Sequence, residues 1–135
     1  MERDILFTDL KTPPQIFQLK DYLRELFRLI DRRNVDIDYA STIVIDADEG
    51  ETFYVLLTGN ITTITILNAF LGRKITLIFQ QDESGSRTVA GFGAGVMLAG
   101  DAFAVTGSAN RYTSITFEYC STSKWVETGR TSDVY

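Results

Sequence analysis

Histidine is absent from the 135 residues, and cysteine occurs once, at Cys120. Without histidine the chain lacks the commonest general base, the commonest metal ligand and every Ser-His-Asp or Cys-His arrangement. The sequence therefore reads as that of a non-enzyme, with no catalytic residue to name. A single cysteine excludes an intrachain disulfide and a cysteine metal cluster. Cys120 sits in a strand-like run and is expected to be a buried, inert thiol. Basic residues are outnumbered 13 to 18, leaving a net charge of −5, which argues against attraction to nucleic-acid phosphates. No apolar run reaches the roughly 18 residues that a membrane crossing requires, and Met1-Glu2-Arg3-Asp4 lacks the layout of a signal peptide. Neither nucleic acid nor membrane is an expected partner.

What is present has the balance of a globular protein: 44% hydrophobic and 23% charged residues, enough for one domain with short attachments. Residues 1–11 read as a mixed polar arm with an apolar insert, Ile5-Leu6-Phe7. Thr12-Pro13-Pro14-Gln15 then has the chemistry of a helix start: Thr12 caps, Pro13 fits the first helical position, and Gln15 completes a capping box. An amphipathic helix is expected over residues 12–34. Its apolar positions Ile16, Leu19, Leu23, Leu26 and Ile30 follow the 3,4 spacing of a heptad seam, and Phe27, Tyr22 and Leu29 widen the stripe. The stripe is too broad for a two-stranded coil. It suits three or more strands, or a helix lying on a globular surface, so these residues are candidates for oligomerisation or docking.

After Asn34 the period falls to two and β-branched and aromatic residues take over. Strands are expected over Thr42–Ile45, Thr52–Leu57, Ile61–Leu67, Lys74–Phe79, Arg87–Ala90, Tyr112–Cys120 and Lys124–Glu127, with turn residues between them. In the 112–120 run Ile115, Phe117 and Tyr119 alternate with Thr116, Glu118 and Cys120, as on a strand with one wet face. The expected fold is mainly β: an antiparallel β-sandwich-like domain over residues 42–130, preceded by one N-terminal α-helix.

Several stretches have the look of chemistry. Asp46-Ala47-Asp48-Glu49-Gly50-Glu51 is rich in carboxylates, but its glycine falls one place early for a calcium loop and the later bidentate acid is missing, so it reads as a solvated turn with no metal. Gly91-Phe92-Gly93-Ala94-Gly95 satisfies neither dinucleotide nor P-loop spacing and reads as a flexible connection. Asn60-Ile61-Thr62 matches a glycosylation acceptor only formally. No motif asks for a cofactor. Trp125, with Tyr112 and Tyr119, forms a candidate aromatic platform for a sugar, although core packing is the commoner fate of such side chains. Gln81-Asp82-Glu83-Ser84-Gly85-Ser86-Arg87 reads as a hairpin in which Asp82 accepts turn amides, Gly85 supplies a positive φ, and Arg87 returns within reach of Asp82 or Glu83.

At that hairpin the sequence resembles a known family. Gly72-Arg73-Lys74-Ile75-Thr76-Leu77-Ile78-Phe79-Gln80-Gln81-Asp82, followed by Gly85-Ser86-Arg87-Thr88-Val89, is similar to a pattern in bacteriophage fibre, appendage and other virion proteins. The same order continues upstream in Leu57-Thr58-Gly59-Asn60-Ile61-Thr62, and downstream in Ile115-Thr116-Phe117-Glu118-Tyr119 and Lys124-Trp125-Val126. The likeness covers about residues 42 to 130. It departs at Ala90-Gly91-Phe92 and at Cys120-Ser121, where the family has Trp-Pro and Asp-Gly. The resemblance implies a β-sandwich-like domain, usually trimeric, displayed on the virion. A homotrimer is therefore expected, joined to capsid, tail or baseplate proteins through its N-terminal arm. The alternative is a module that binds host-surface carbohydrate.

Overall fold

The computed structural model describes residues 19–24, 26 and 34–135. It divides into two units, Met1–Arg32 and Arg33–Tyr135. In the first, residues 19–24 and 26 are helical, as the heptad spacing predicts; Ile16, Phe27 and Ile30 lie outside the described residues. Leu19 is half-buried, whereas Leu23 and Leu26 are 41% and 37% exposed. Arg24 pairs with Asp21 one turn away at 3.3 Å.

The second unit is built from eight strands: β1 (Asn34–Ile37), β2 (Thr42–Asp46), β3 (Thr52–Leu57), β4 (Thr63–Leu67), β5 (Lys74–Gln81), β6 (Val96–Met97), β7 (Tyr112–Cys120) and β8 (Lys124–Val134). They form a six-stranded sheet in the order β1-β3-β5-β7-β8-β6 and a two-stranded sheet of β2 and β4. As far as β5 the chain alternates between the sheets, laying one strand in each on every pass. Asn34 lies beside Thr52 and Thr52 beside Thr76, both parallel. Thr42 lies beside Thr63, also parallel. A third pass completes the second sheet through parallel bridges Ile61 to Val89 and Ile64 to Phe92. The result is a short solenoid of three stacked rungs. It is closed by the antiparallel run β5-β7-β8, with β6 parallel to β8 at the edge.

The mainly β domain after an N-terminal helix is thus as expected, but antiparallel pairing holds only for β5-β7-β8. Side-chain alternation is the same in parallel and antiparallel strands, so the period cannot tell them apart. Thr52–Leu57 and Tyr112–Cys120 are strands over the expected residues. Arg87–Ala90 is not a strand; only Val89 bridges. β1, β6 and residues 128–134 of β8 were not legible in the pattern, because they are short or polar on both sides.

One core lies between the sheets. Phe53, Val55 and Leu57 of β3, Ile75, Leu77 and Phe79 of β5, and Ile115 and Phe117 of β7 point inward beside Ile43, Ile45 and Ile64 of the other sheet. Each such side chain contributes roughly 1.5–3 kcal/mol on burial. Phe92 seats edge-on against Phe117, with ring centroids 5.2 Å apart, and lies 5.6 Å from Phe103. Gly91–Gly95, expected to be a flexible connection, is instead part of the third rung: the Ile64 amide donates to Gly91 O at 3.1 Å and the Gly93 amide to Ile64 O at 2.8 Å.

Candidate functional site

Gln81, Asp82, Gly85 and Arg87 lie together at the end of β5, and the polar side chains among them bond within the fold. Gln81 is 1% exposed. Its Nε2 donates to Arg87 O at 2.7 Å and to Thr106 O at 2.6 Å, while its Oε1 accepts from the Arg87 amide at 3.0 Å. One side chain therefore ties two loops to the last residue of β5. Asp82 Oδ1 accepts from the amides of Ser84 and Gly85 at 3.1 and 3.0 Å. Its Oδ2 receives the Arg87 guanidinium at 2.9 and 3.2 Å. That guanidinium, helped by the turn amides, holds the Asp82 carboxyl below its usual range despite partial burial. The expected reach of Arg87 to Asp82 is thus found. The segment is not a hairpin, however: it carries the chain from one sheet to the other, where Val89 bridges to Ile61 in parallel.

Gly85 has φ +69°, as expected, and it also packs against backbone: a Cβ there would sit 2.7 Å from Gly107 O and 3.0 Å from Ala109 N. Gly85→Ala is expected to cost about 2 kcal/mol, from left-handed strain plus displacement of the 107–110 loop. A urea melt checks this: a midpoint unchanged from wild type would contradict the packing.

Upstream, the Gly59-Asn60-Ile61-Thr62 stretch does the same work one rung away. Asn60 Oδ1 accepts from the Thr88 amide at 3.0 Å, Asn60 O accepts from the Tyr39 hydroxyl at 2.8 Å, and Thr62 Oγ1 donates to Ser41 O at 2.9 Å. A side chain at Gly59 would run into the Tyr39 ring. Arg73 braces the turn below it, donating to Ala47 O through Nε at 3.0 Å and also to Gly50 O.

The other candidates separate. Asp46 folds back on its own turn, its Oδ1 accepting from the Asn68 side chain at 2.8 Å and from the Asp48 amide at 2.9 Å. These bonds, the Asn68 one foremost, lower its pKa. Among the described residues no cluster of three or more acids or cysteines is placed to hold a metal ion. Cys120 is not buried as expected: it is partly exposed, beside the β7–β8 turn, 2.9 Å from Thr122 Oγ1, and that hydrogen bond lowers its pKa. Tyr112 and Trp125 do not form a shared platform. Trp125 is 3% exposed, its ring tilted against that of Tyr119 with centroids 5.1 Å apart, Tyr119 being its neighbour across the β7–β8 ladder. Tyr112 stands at the far end of β7, roughly 20 Å away at about 3.3 Å per residue.

Two features escaped the sequence pattern. Glu127, 2% exposed at its side chain, binds Arg130 in a two-pronged pair at 2.5 and 2.6 Å and accepts from the Ala99 amide at 2.7 Å. Arg130 in turn donates to Asp101 O and Ala102 O, pinning the 99–103 loop on β8. The second feature is the outward face of the large sheet. Cross-strand register aligns Tyr54, Ile78, Ser114 and Thr131 in one row, and Leu56, Gln80, Tyr112 and Val134 in the next. A shallow groove of about 330 Å³ runs between Tyr54, Ile78, Tyr112, Val134 and Tyr135. Burial, then the nearby Tyr112 and Asp36, raise the Tyr54 hydroxyl above its usual pKa. No protein-family model matches the chain, and no curated protein is significantly similar to it.

Proposed function

We propose that the chain is a structural component of a bacteriophage virion: a homotrimeric fibre- or decoration-type module, attached through its N-terminal region to capsid, tail or baseplate proteins, and not an enzyme. The observation that supports this reading is the fate of the residues that resemble the phage pattern. Gln81, Asp82, Arg87 and Asn60 direct their polar groups into the fold, Asn60 to the Thr88 amide of the next rung and the others across the 81–87 turn and to Thr106. A stretch whose polar side chains bond largely to the fold's own loops fits an architectural module. The rival reading, binding of host-surface glycan, loses Trp125 to the core and is left with Tyr112 and Tyr119, both half-buried.

Native mass spectrometry of the full chain tests the trimer. Three copies of the 15.2 kDa chain are the expected species, and a monomer at every concentration would contradict the reading.

A further inference from the structure

We propose that the segment from Ala99 to Ala102 is a strap held shut over β8 by the Glu127–Arg130 pair, and that acid releases it while the rest of the β unit stays folded.

The segment has little else to hold it. Ala99, Gly100, Asp101 and Ala102 are all exposed. They are small or polar, so burial of apolar surface contributes little to their position. Gly100 has φ +79°, and a Cβ there would meet no atom within 4 Å. Among the described residues, every hydrogen bond from this segment to another part of the chain ends on one of two side chains of β8. The Ala99 amide donates to Glu127 Oε2 at 2.7 Å. Arg130 donates to Asp101 O at 3.2 Å and to Ala102 O at 3.3 Å. The two ends are fixed separately: Met97 lies beside Val126 in the β6–β8 ladder, and Phe103 is buried against Phe79 and Phe92. Four residues can therefore lift without disturbing either anchor. Such openings, with few buried contacts to break, lie at the low-cost end of local unfolding.

The latch is a charge on a carboxylate that water hardly reaches. The Glu127 side chain is 2% exposed and that of Arg130 30%. From β7, Phe117 stands opposite Glu127, and β6 brings only Val96 and Met97, so neither strand adds a charge. Asp101 is the charged side chain of the strap, and it acts on Arg130. A proton on Glu127 removes the negative charge that holds both the Arg130 fork and the Ala99 amide. Arg130 keeps its own charge, now without a buried partner. It turns to solvent or to the Asp101 carboxylate and lets go of the two carbonyls.

The direction with pH follows from linkage. With the strap closed, the Arg130 hydrogen bonds hold the Glu127 carboxyl below its ordinary 4.5; with the strap open and the pair parted, it returns toward that value. The ratio of open to closed strap is then constant above the ordinary value. It rises about tenfold per pH unit below it, and levels off beneath the lowered one.

Nitrogen-15 relaxation on the full chain tests this. At neutral pH the heteronuclear NOEs of residues 99–102 should match those of the strands. Between about pH 5 and pH 3 they should fall to the values of a free loop, while the amides of β3, β5 and β7 keep their shifts and NOEs. Glu127→Gln, which carries no charge at any pH, should free the strap already at neutral pH and abolish the titration. Arg130→Gln should also free it at neutral pH. Should neither variant fold, the wild-type titration decides alone. A strap that keeps strand-like NOEs through the acid range would overturn the inference, as would one that loses order only together with β3, β5 and β7. A folded Glu127→Gln protein with its strap as ordered as in wild type would overturn it equally.

Discussion

Gln81→Leu should destabilise the β unit by about 3–5 kcal/mol while leaving its volume at that site nearly unchanged. Leucine keeps the apolar bulk, so the loss is almost entirely one of hydrogen bonding. Three backbone groups, the Arg87 amide, Arg87 O and Thr106 O, lose their partner at a position that is 1% exposed. Each orphaned buried group costs about 1–3 kcal/mol, reduced wherever a loop can shift to admit water. Because both tethered loops lead into the third rung and into β7, the loss should appear as a lowered midpoint of the whole unit and not as local fraying. Urea denaturation followed by tryptophan fluorescence reads it, since Trp125 sits in the same core. A change below about 1 kcal/mol would mean that Gln81 does not bind the two loops together.

Glu127→Ala is the second large effect, expected at about 3 kcal/mol, because it strips the partner from the Arg130 guanidinium and from the Ala99 amide at a nearly solvent-free position. The same carboxylate gives the fold an acid sensitivity whose sign can be worked out. The Arg130 hydrogen bonds, outweighing the opposing effect of burial, lower the Glu127 pKa below its ordinary value of 4.5. A group with a depressed folded pKa stabilises the fold above its unfolded pKa, and that contribution is lost as pH falls through the folded value. Asp82 and Asp46 are lowered in the same direction. Thermal midpoints should therefore hold steady above the ordinary carboxylate range and drop below it. Glu127→Gln, melted across the same series, should show a lower midpoint at neutral pH and a shallower acid limb. An acid limb as steep as wild type would show that Glu127 contributes nothing to it.

Much of the β unit could be read from residue order, and the reasons for the failures are physical. Period-two alternation located β2, β3, β5 and β7 closely, because one face of each is packed with Ile, Val, Leu and Phe. The same alternation carries no information on strand direction, so a parallel three-rung solenoid was expected as an antiparallel sandwich. The roles of Asp82, Gly85 and Arg87 were legible because turn chemistry is local: a carboxylate, a left-handed glycine and a returning arginine lie within six positions. Gln81's role was not, since one of its three partners, Thr106, is distant in sequence. Gly91–Gly95 looked like a link because glycine hides strand propensity, yet its backbone pairs with β4 and Phe92 fills the core. Trp125 went where aromatic residues more often go, into the core, where it packs on Tyr119.

The most direct test of a structural role in the virion is a density map of purified particles from cells that make this chain. The account predicts density for the rung-stacked β unit outside the particle shell, tail or baseplate, in three copies about a common axis, with the N-terminal segment at the point of attachment. Particles whose map and protein content lack this chain would contradict it.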